Sequence, residues 1–395
     1  MTDTCADAPP LNARATGRVG RLASLDHMRG FVIGLVVFHH AILAYCTFDR
    51  IDRAHYPLST APIVDSQHWI VFDLLVRLND AFFIPLLFLL SGLFVWDGLA
   101  RRGAGAFLCA RIRRLGLPFV VAVLTLIPLA YYPSFVQAGG EPGFGAFWIR
   151  TVTVGPWPSG PPWFIGVLLL FDAGAALLFV LAARGGASPY RPPRSASGFA
   201  VLLSGSWLLY MPLLIAIGPA RWFAIGPLAV QGSRIGLYAI YFSAGVVLGR
   251  HGKPAVALFG QALSSRWRSW ASLAALTGAG FISVGSWTAR EVPHLPALVL
   301  VGTAQAAFCT AASYALPALF LRFGGGRSPA WDSLAANSFA IYLLHYPVVT
   351  WTQYALLAAP ASAPAKGAIT FAVALLGSWT TAALLRRLPT LSRIL

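Results

Sequence analysis

The chain has few charged residues and few cysteines. Only 11% of its 395 residues are charged and only 13 are acidic, whereas 57% are hydrophobic. Soluble domains carry about 25% charged residues, so this composition excludes an ordinary soluble protein and predicts a membrane protein with several spans. The four cysteines, Cys5, Cys46, Cys109 and Cys309, lack the paired spacing of a disulfide framework or a zinc site. The adjacent His39 and His40 and the loop histidines also lack the spacing of metal ligands, so we predict no metal site.

The charge that is present is mostly positive, with a formal net charge of +16. In a soluble protein this excess would suggest nucleic-acid binding. Here the basic residues cluster in short segments between apolar runs, which is the pattern that membrane topology produces. We therefore expect membrane lipids as partners and no nucleic acid.

Apolar runs of spanning length predict an all-α, polytopic bundle of about ten transmembrane helices. The predicted spans are 30–48, 80–99, 115–133, 162–183, 199–218, 235–250, 269–288, 296–320, 336–358 and 367–385. With both termini in the cytoplasm, the inner segments hold 20 lysines and arginines, the outer segments hold 8, and Arg29 lies at the boundary of the first span. This excess of positive charge inside favours the ten-span topology.

The domain organisation follows from these spans. Residues 1–21 are predicted to form a disordered basic tail, 22–388 the membrane domain, and 389–395 a short second tail, with both tails cytoplasmic. Two outer loops, at 49–79 and 134–161, are too short for separate domains. The stretch rich in proline, arginine and serine at 185–198 is interpreted as a linker.

The first span carries two adjacent histidines, His39 and His40. Polar groups within a membrane are costly and usually functional. At about 1.5 Å per residue, His40 lies roughly 16 Å along the helix from Arg29, which predicts a position near the middle of a hydrocarbon core about 30 Å thick. Adjacent helical residues point about 100° apart, so we expect His39 to be structural.

Two further polar residues are predicted at a similar depth. These are His345 in the ninth span and Asp172 in the fourth, the only acidic residue deep in a predicted span. Depth does not identify neighbouring helices, and each group is also compatible with a simple interhelical hydrogen bond.

Basic residues precede the third span. Arg111 and Arg114 are three positions apart and share a helix face, and Arg29 lies at the same predicted depth. They are compatible with an anchor on anionic lipid and equally with a seat for a phosphorylated ligand, since guanidinium groups bind phosphate oxygens in pairs.

Five short motifs, taken in order, carry a resemblance to a known family. They are Leu25-Asp26 and Arg29-Gly30 with ten residues between Arg29 and His40, Ser91-Gly92, Arg111-x-x-Arg114-Leu115 with Pro118, Pro162-Trp163-Phe164, and Ile341-Tyr342-Leu343-x-His345. Together they resemble the acyltransferase-3 family of integral-membrane O-acyltransferases over about residues 22–386. Within it, the chain is most similar to the bacterial glucans biosynthesis protein C branch.

The resemblance implies transfer of an acyl group, acetyl or succinyl, from a cytoplasmic acyl-CoA to a hydroxyl of an envelope or periplasmic glycan at the bacterial inner membrane. It implies that His40 is the catalytic base and that Arg29, Arg111 and Arg114 contact the donor. We predict that His345 orients the base or polarises the thioester carbonyl, and that Trp163 and Asp172 contact substrate. Acyl-CoA would be a co-substrate, with no tightly bound cofactor.

The sequence is also compatible with two other functions. Ten spans with buried histidine and aspartate also suit a proton-coupled transporter or an exporter of a glycan or small molecule. The scaffold would equally suit a non-catalytic membrane subunit.

Overall fold

A computed structural model describes residues 16–155, 157–158, 160–183, 195–291, 294–326, 328–389 and 391. In these ranges the chain forms twelve helices and one β-hairpin. The helices are α1 (Thr16–Leu43), α2 (Ile70–Gly92), α3 (Val95–Gln137), α4 (Phe144–Thr153), α5 (Trp163–Ala183), α6 (Ser195–Ile217), α7 (Ile235–Arg250), α8 (Gly252–Ser265), α9 (Trp267–Glu291), α10 (His294–Phe323), α11 (Pro329–Ala355) and α12 (Ala363–Leu385). The hairpin pairs β1 (Trp222–Ile225) with β2 (Leu228–Gln231) in antiparallel fashion.

The helices overlap the ten predicted spans in order, with α4 and α8 as additional short helices. Six of them, α2, α3, α5, α6, α10 and α12, are long and apolar enough to cross a membrane by length and composition. The end of the bundle at which α1 ends is predicted to face outward, and we refer to it as the outer end. The β-hairpin connects α6 to α7 at that end, so the all-α prediction is correct for the bundle but misses this element.

The second span begins earlier than predicted. The helix starts at Ile70 rather than near residue 80, and α3 follows it after only two residues. Charges at the start of α2 made this segment resemble a loop, but neighbouring helices satisfy them: Arg77 lies 5.7 Å from the ring of Phe281, and Asp80 pairs with Arg234. The inner segment before the third span is helical as well, with a kink at Gly103 (φ 75°).

Helix α3 is interrupted by two π-helical turns, Ile112–Gly116 and Ala122–Leu126. Each is followed at once by a short α-helical piece with a proline at its second position, Pro118 or Pro128. Proline lacks the N–H that continues the regular hydrogen-bond pattern, and π-helical turns often mark functional segments. The first of them contains Arg114 and directly follows Arg111.

The predicted tails and linker lie partly outside the described residues. Helix α1 already begins at Thr16, within the segment interpreted as a tail, and residues 1–15 are not among those described. Residues 184–194 of the predicted linker also lie outside the described part, whereas Ser195 begins α6. Of the second tail, 389–395, only residues 389 and 391 are described.

Helices α1 and α11 run in parallel along a close seam. His27 contacts Asp332 at 2.7 Å near the inner end, and His40 contacts His345 near the outer end. Between them, a Cβ on Gly30 would lie 3.1 Å from the backbone of Ala335. The absence of a side chain at Gly30 therefore lets the two backbones approach, which brings the faces carrying the histidines together.

A loop of residues 44–69, here the outer loop, closes over the outer end of α1. Tyr45, Cys46 and Ile63 are fully buried within it. Lys366 of α12 forms an ion pair with Asp65 at 2.7 Å, and about 1% of each side chain is exposed. Because the loop folds back onto the bundle, α1 ends at Leu43 and does not extend to residue 48 as predicted.

Candidate active site

Two histidines from α1 and α11 form the centre of the site. The ring centroids of His40 and His345 are 5.4 Å apart and their planes are 28° apart. Two ring nitrogens here are buried without a hydrogen-bond partner among the described residues, Nδ1 of His40 and Nε2 of His345. Buried polar atoms are nearly always hydrogen-bonded in proteins, so this pair has the capacity to hold or exchange protons with a ligand.

The tautomer of His345 follows from its hydrogen bond to the backbone of α11. Its Nδ1 lies 2.7 Å from the backbone carbonyl oxygen of Tyr342. A carbonyl only accepts, so Nδ1 carries the proton, and in the neutral ring Nε2 holds the lone pair. Neutral His345 can therefore accept a proton or a hydrogen bond at Nε2, but it cannot donate there to a carbonyl.

Tyrosines surround the histidine pair. The ring of Tyr346 lies 5.0 Å from that of His40, and its hydroxyl is 3.4 Å from the hydroxyl of Tyr131. The Tyr342 hydroxyl donates to the backbone carbonyl of Pro161, which ties the turn before α5 to this site. Sequence reasoning did not assign these tyrosines, although two of them flank His345 in the chain.

Arg29 shares a helix face with His40. The two residues are eleven positions apart, and at about 100° per residue their side chains differ in direction by only about 20°. They are about 16 Å apart along the helix axis. Arg29 is 43% exposed and donates from Nε to Ser338 at 3.4 Å. Ser338 lies seven residues before His345, so the seam presents Arg29 and Ser338 at its inner end and the two histidines at its outer end.

The structure does not bring Asp172 to the histidine pair. Its carboxylate is fully buried and lies 3.1 Å from Nε of Arg111 in an ion pair. Arg111 also lies 5.3 Å from the ring of Phe107, whereas Arg114 is exposed. The depth argument placed Asp172 correctly within a span but could not identify its partner, because depth along an axis does not fix which way a side chain points.

Trp163 begins α5 at the outer end and is half-buried. Its ring lies 5.6 Å from the ring of Tyr238 and 5.6 Å from that of Trp222 in the hairpin. The following residue, Phe164, packs 6.0 Å from Tyr342 beside the histidine pair. Trp163 is therefore part of an aromatic cluster at the start of α5, next to the Phe164 ring that contacts Tyr342.

His39 points away from the site. Its ring lies 5.3 Å from Phe83 of α2, and it meets His40 only edge to face. This geometry agrees with the 100° separation of adjacent helical residues. His39 contacts α2, whereas His40 contacts α11.

A second charged pair was missed by the sequence reasoning. Asp80 of α2 lies 2.6 Å from Nη1 of Arg234, just before α7. Asp80 is the eleventh residue of α2, so the expectation that Asp172 is the only acidic residue deep in a span was wrong. The predicted span began at residue 80, which placed Asp80 at its edge. A helix drawn from Ile70 would have revealed it.

The comparisons with known proteins identify one family. Residues 22–383 match the family described as Acyltransferase domain. No curated protein matches the chain. No solved structure matches it either.

Proposed function

The chain belongs to the acyltransferase-3 family, a multi-pass membrane acyltransferase family, and we propose that it transfers an acyl group from a coenzyme A thioester to a hydroxyl of an envelope glycan. The observation that carries this proposal is the pair His40–His345, whose free ring nitrogens lie on the same helix faces as Arg29 and Ser338. That arrangement supplies a cationic group for an anionic donor and a proton acceptor for the reaction along one pair of helices.

The proposed reaction needs one base. A hydroxyl is a poor nucleophile at neutral pH, and a positioned general base typically contributes 10²–10⁴-fold. His40 accepts the proton as the hydroxyl oxygen attacks the thioester carbonyl. The tetrahedral intermediate then expels the thiolate of coenzyme A, which takes that proton from His40. The products are the ester and free coenzyme A, without a covalent enzyme intermediate.

The donor is proposed to bind from the inner end. Arg29 and Arg114 are accessible there, and guanidinium groups suit phosphate oxygens. Arg111 is engaged by Asp172 through Nε, so we assign it the role of holding α3 and α5 together beside the donor, with its terminal nitrogens facing the phosphates. In this scheme Asp172 supports Arg111 and makes no contact with substrate.

The hydrogen bond of His345 to the Tyr342 carbonyl favours one of the two roles predicted for this residue. Polarising a thioester carbonyl requires an N–H at Nε2, which the neutral ring lacks because its proton is at Nδ1. We therefore favour the first role: the Nε2 lone pair accepts a hydrogen bond and orients the base.

The finer assignments rest on the resemblance. They are an acetyl or succinyl group, a periplasmic glucan acceptor like that of the glucans biosynthesis protein C branch, and a bacterial inner-membrane location with both termini cytoplasmic. The aromatic cluster around Trp163 at the outer end supports a carbohydrate acceptor, because flat aromatic faces are common in sugar recognition.

The test compares envelope glycans from a deletion strain that carries the native protein or the His40→Ala variant. Mass spectrometry should show an ester mass increment with the native protein only; its size identifies the acyl group and its carrier identifies the acceptor. An equal increment in both strains would show that His40 is not the catalytic base. If neither strain shows it at normal expression, the transporter alternative is tested next by substrate-dependent proton flux.

A further inference from the structure

The pair Asp80–Arg234 lies deep in the outer half of the bundle yet remains partly accessible. Asp80 is about 15 Å along α2 from the outer helix end at Ile70, and 37% of its side chain is exposed. A carboxylate facing lipid at that depth would be very costly. The exposed side of Asp80 therefore requires polar surroundings rather than lipid, and we call the space beside it the outer vestibule.

Contacts define the walls of the outer vestibule. Arg234 binds both the carboxylate and the backbone carbonyl of Asp80, and its guanidinium also reaches the hydroxyl of Tyr238. Tyr238 in turn packs against Trp163. The charged pair thus lies toward the outer end and the aromatic cluster lies about one helical turn deeper, because α7 runs inward from Arg234 to Tyr238.

Several buried polar atoms beside this pair have no partner among the described residues. They are Nε of Arg234, Oγ of Ser233, Oδ1 of Asn79 and Nε2 of Gln305. The Asn79, Gln305 and Ser233 side chains are more than nine-tenths buried. Unpaired buried donors and acceptors are costly, so the protein around this pair is unusually polar for a membrane-spanning segment.

The vestibule also lies next to the reacting centre. Asp80 and Arg234 are within electrostatic range of His39, which itself points toward α2 but precedes His40 in α1. On the other side, Phe164 connects Trp163 to Tyr342 at the histidine pair. A chain-like ligand held in the outer vestibule would therefore lie beside the group that activates its hydroxyl.

We propose that the outer vestibule is the acceptor subsite, in which Asp80 and Arg234 bind vicinal hydroxyls of a neutral sugar and Trp163 and Tyr238 pack against its ring. This inference rests on the proposed function. A binding site for a cation would contain acidic groups and no arginine. A binding site for an anion would contain arginine and no carboxylate. A fixed pair of donors and acceptors with no net charge instead matches hydroxyl groups, each of which both donates and accepts.

The experiment uses the full-length protein in lipid nanodiscs. The probe is the glycan fraction extracted from the deletion strain, which serves as the unacylated acceptor, together with the CoA thioester identified from the glycan ester. For Asp80→Asn we expect the half-saturating glycan concentration to rise about tenfold or more, the effect of losing a hydrogen bond to a charged group. The half-saturating thioester concentration should not change.

Two variants of Trp163 test whether an aromatic ring is needed at the subsite, and one variant of Asp97 serves as the control. Trp163→Leu should also raise the half-saturating glycan concentration, whereas Trp163→Phe should largely restore it because an aromatic face remains. The matched control is Asp97→Asn, since Asp97 also pairs with an arginine, Arg101, but lies at the inner end of α3. This control should leave both half-saturating concentrations unchanged.

Three outcomes would overturn the proposal. One is an unchanged glycan dependence in Asp80→Asn. Another is a parallel rise for glycan and thioester with loss of thermal stability, which would indicate a structural role. If ester forms normally in either case, the proposed function stands and only the subsite is rejected. Failure of the native protein to form any ester would reject both.

Discussion

The Nδ1 atom of His345 donates a hydrogen bond to the backbone carbonyl of Tyr342, three residues earlier in the same helix, at 2.7 Å. This bond is local, so it fixes the ring independently of other helices. It leaves Nε2 as the acceptor beside His40, and it provides a way to separate the two nitrogens by mutation.

His345→Asn and His345→Gln should therefore differ. The Asn amide can replace the Nδ1 donor but supplies nothing at Nε2, whereas the Gln amide reaches the Nε2 position. We expect both variants to fold, with Asn losing more turnover than Gln. Initial rates of thiol release measure this, and equal losses would show that Nε2 has no separate role.

His40→Gln should lower kcat by about 10²–10⁴-fold, the usual contribution of a general base. The half-saturating concentration of the thioester should change little, because the ring is proposed to act on the hydroxyl proton. The matched control is His55→Gln, an exposed histidine in the outer loop, for which we expect native rates. A comparable rate loss in both variants would contradict the assignment of the base.

The ion pair of Lys366 and Asp65 should dominate the stability of the outer loop. Removing one partner leaves a lone buried charge, which typically costs about 3–5 kcal/mol of unfolding free energy. Lys366→Met alone should therefore be strongly destabilising, whereas Lys366→Met with Asp65→Leu should recover much of the loss. Thermal unfolding in nanodiscs measures both, and additive losses would show that the two charges do not interact.

Asp49 in the outer loop should make stability depend on pH. Burial, chiefly, raises the pKa of its carboxyl from 3.8 to about 7. Between about pH 4 and pH 7 the folded state therefore keeps a proton that the unfolded state releases, and this group lowers stability as pH rises through that window. Asp49→Asn should weaken the fall in unfolding temperature between pH 5 and pH 8. An unchanged slope would show that other groups cause it.

The close packing of helix α2 against helix α7 should depend on the absence of a side chain at Gly245. A Cβ on Gly245 would lie 2.1 Å from the backbone carbonyl oxygen of Leu89, which is closer than real atoms approach. Gly245→Ala should therefore force the helices apart and lower the unfolding temperature. Gly34→Ala is the control, since a Cβ there has no atom within 4 Å and alanine favours a helix. It should cause no loss.

The sequence by itself determined the membrane class, the order of the helices and the presence of histidines in two of them. These follow from composition and from apolar runs, because lipid requires long helices whose backbone groups are satisfied internally. The sequence pattern failed to predict the start of α2 at Ile70–Asp80. The charged residues there are typical of a loop, but in the fold neighbouring helices satisfy them. The pattern also failed at the hairpin, a short element between two spans.

Only the tertiary structure decided which polar groups meet. Depth from the sequence suggested that His40, His345 and Asp172 share a layer, but the direction of each side chain depends on the rotation of its helix. That rotation is set by close packing, such as Gly30 against Ala335. Packing brought His40 into contact with His345, and it formed the ion pairs of Asp172 with Arg111 and of Asp80 with Arg234. Sequence patterns give the distance along a helix, whereas packing between helices fixes its azimuth.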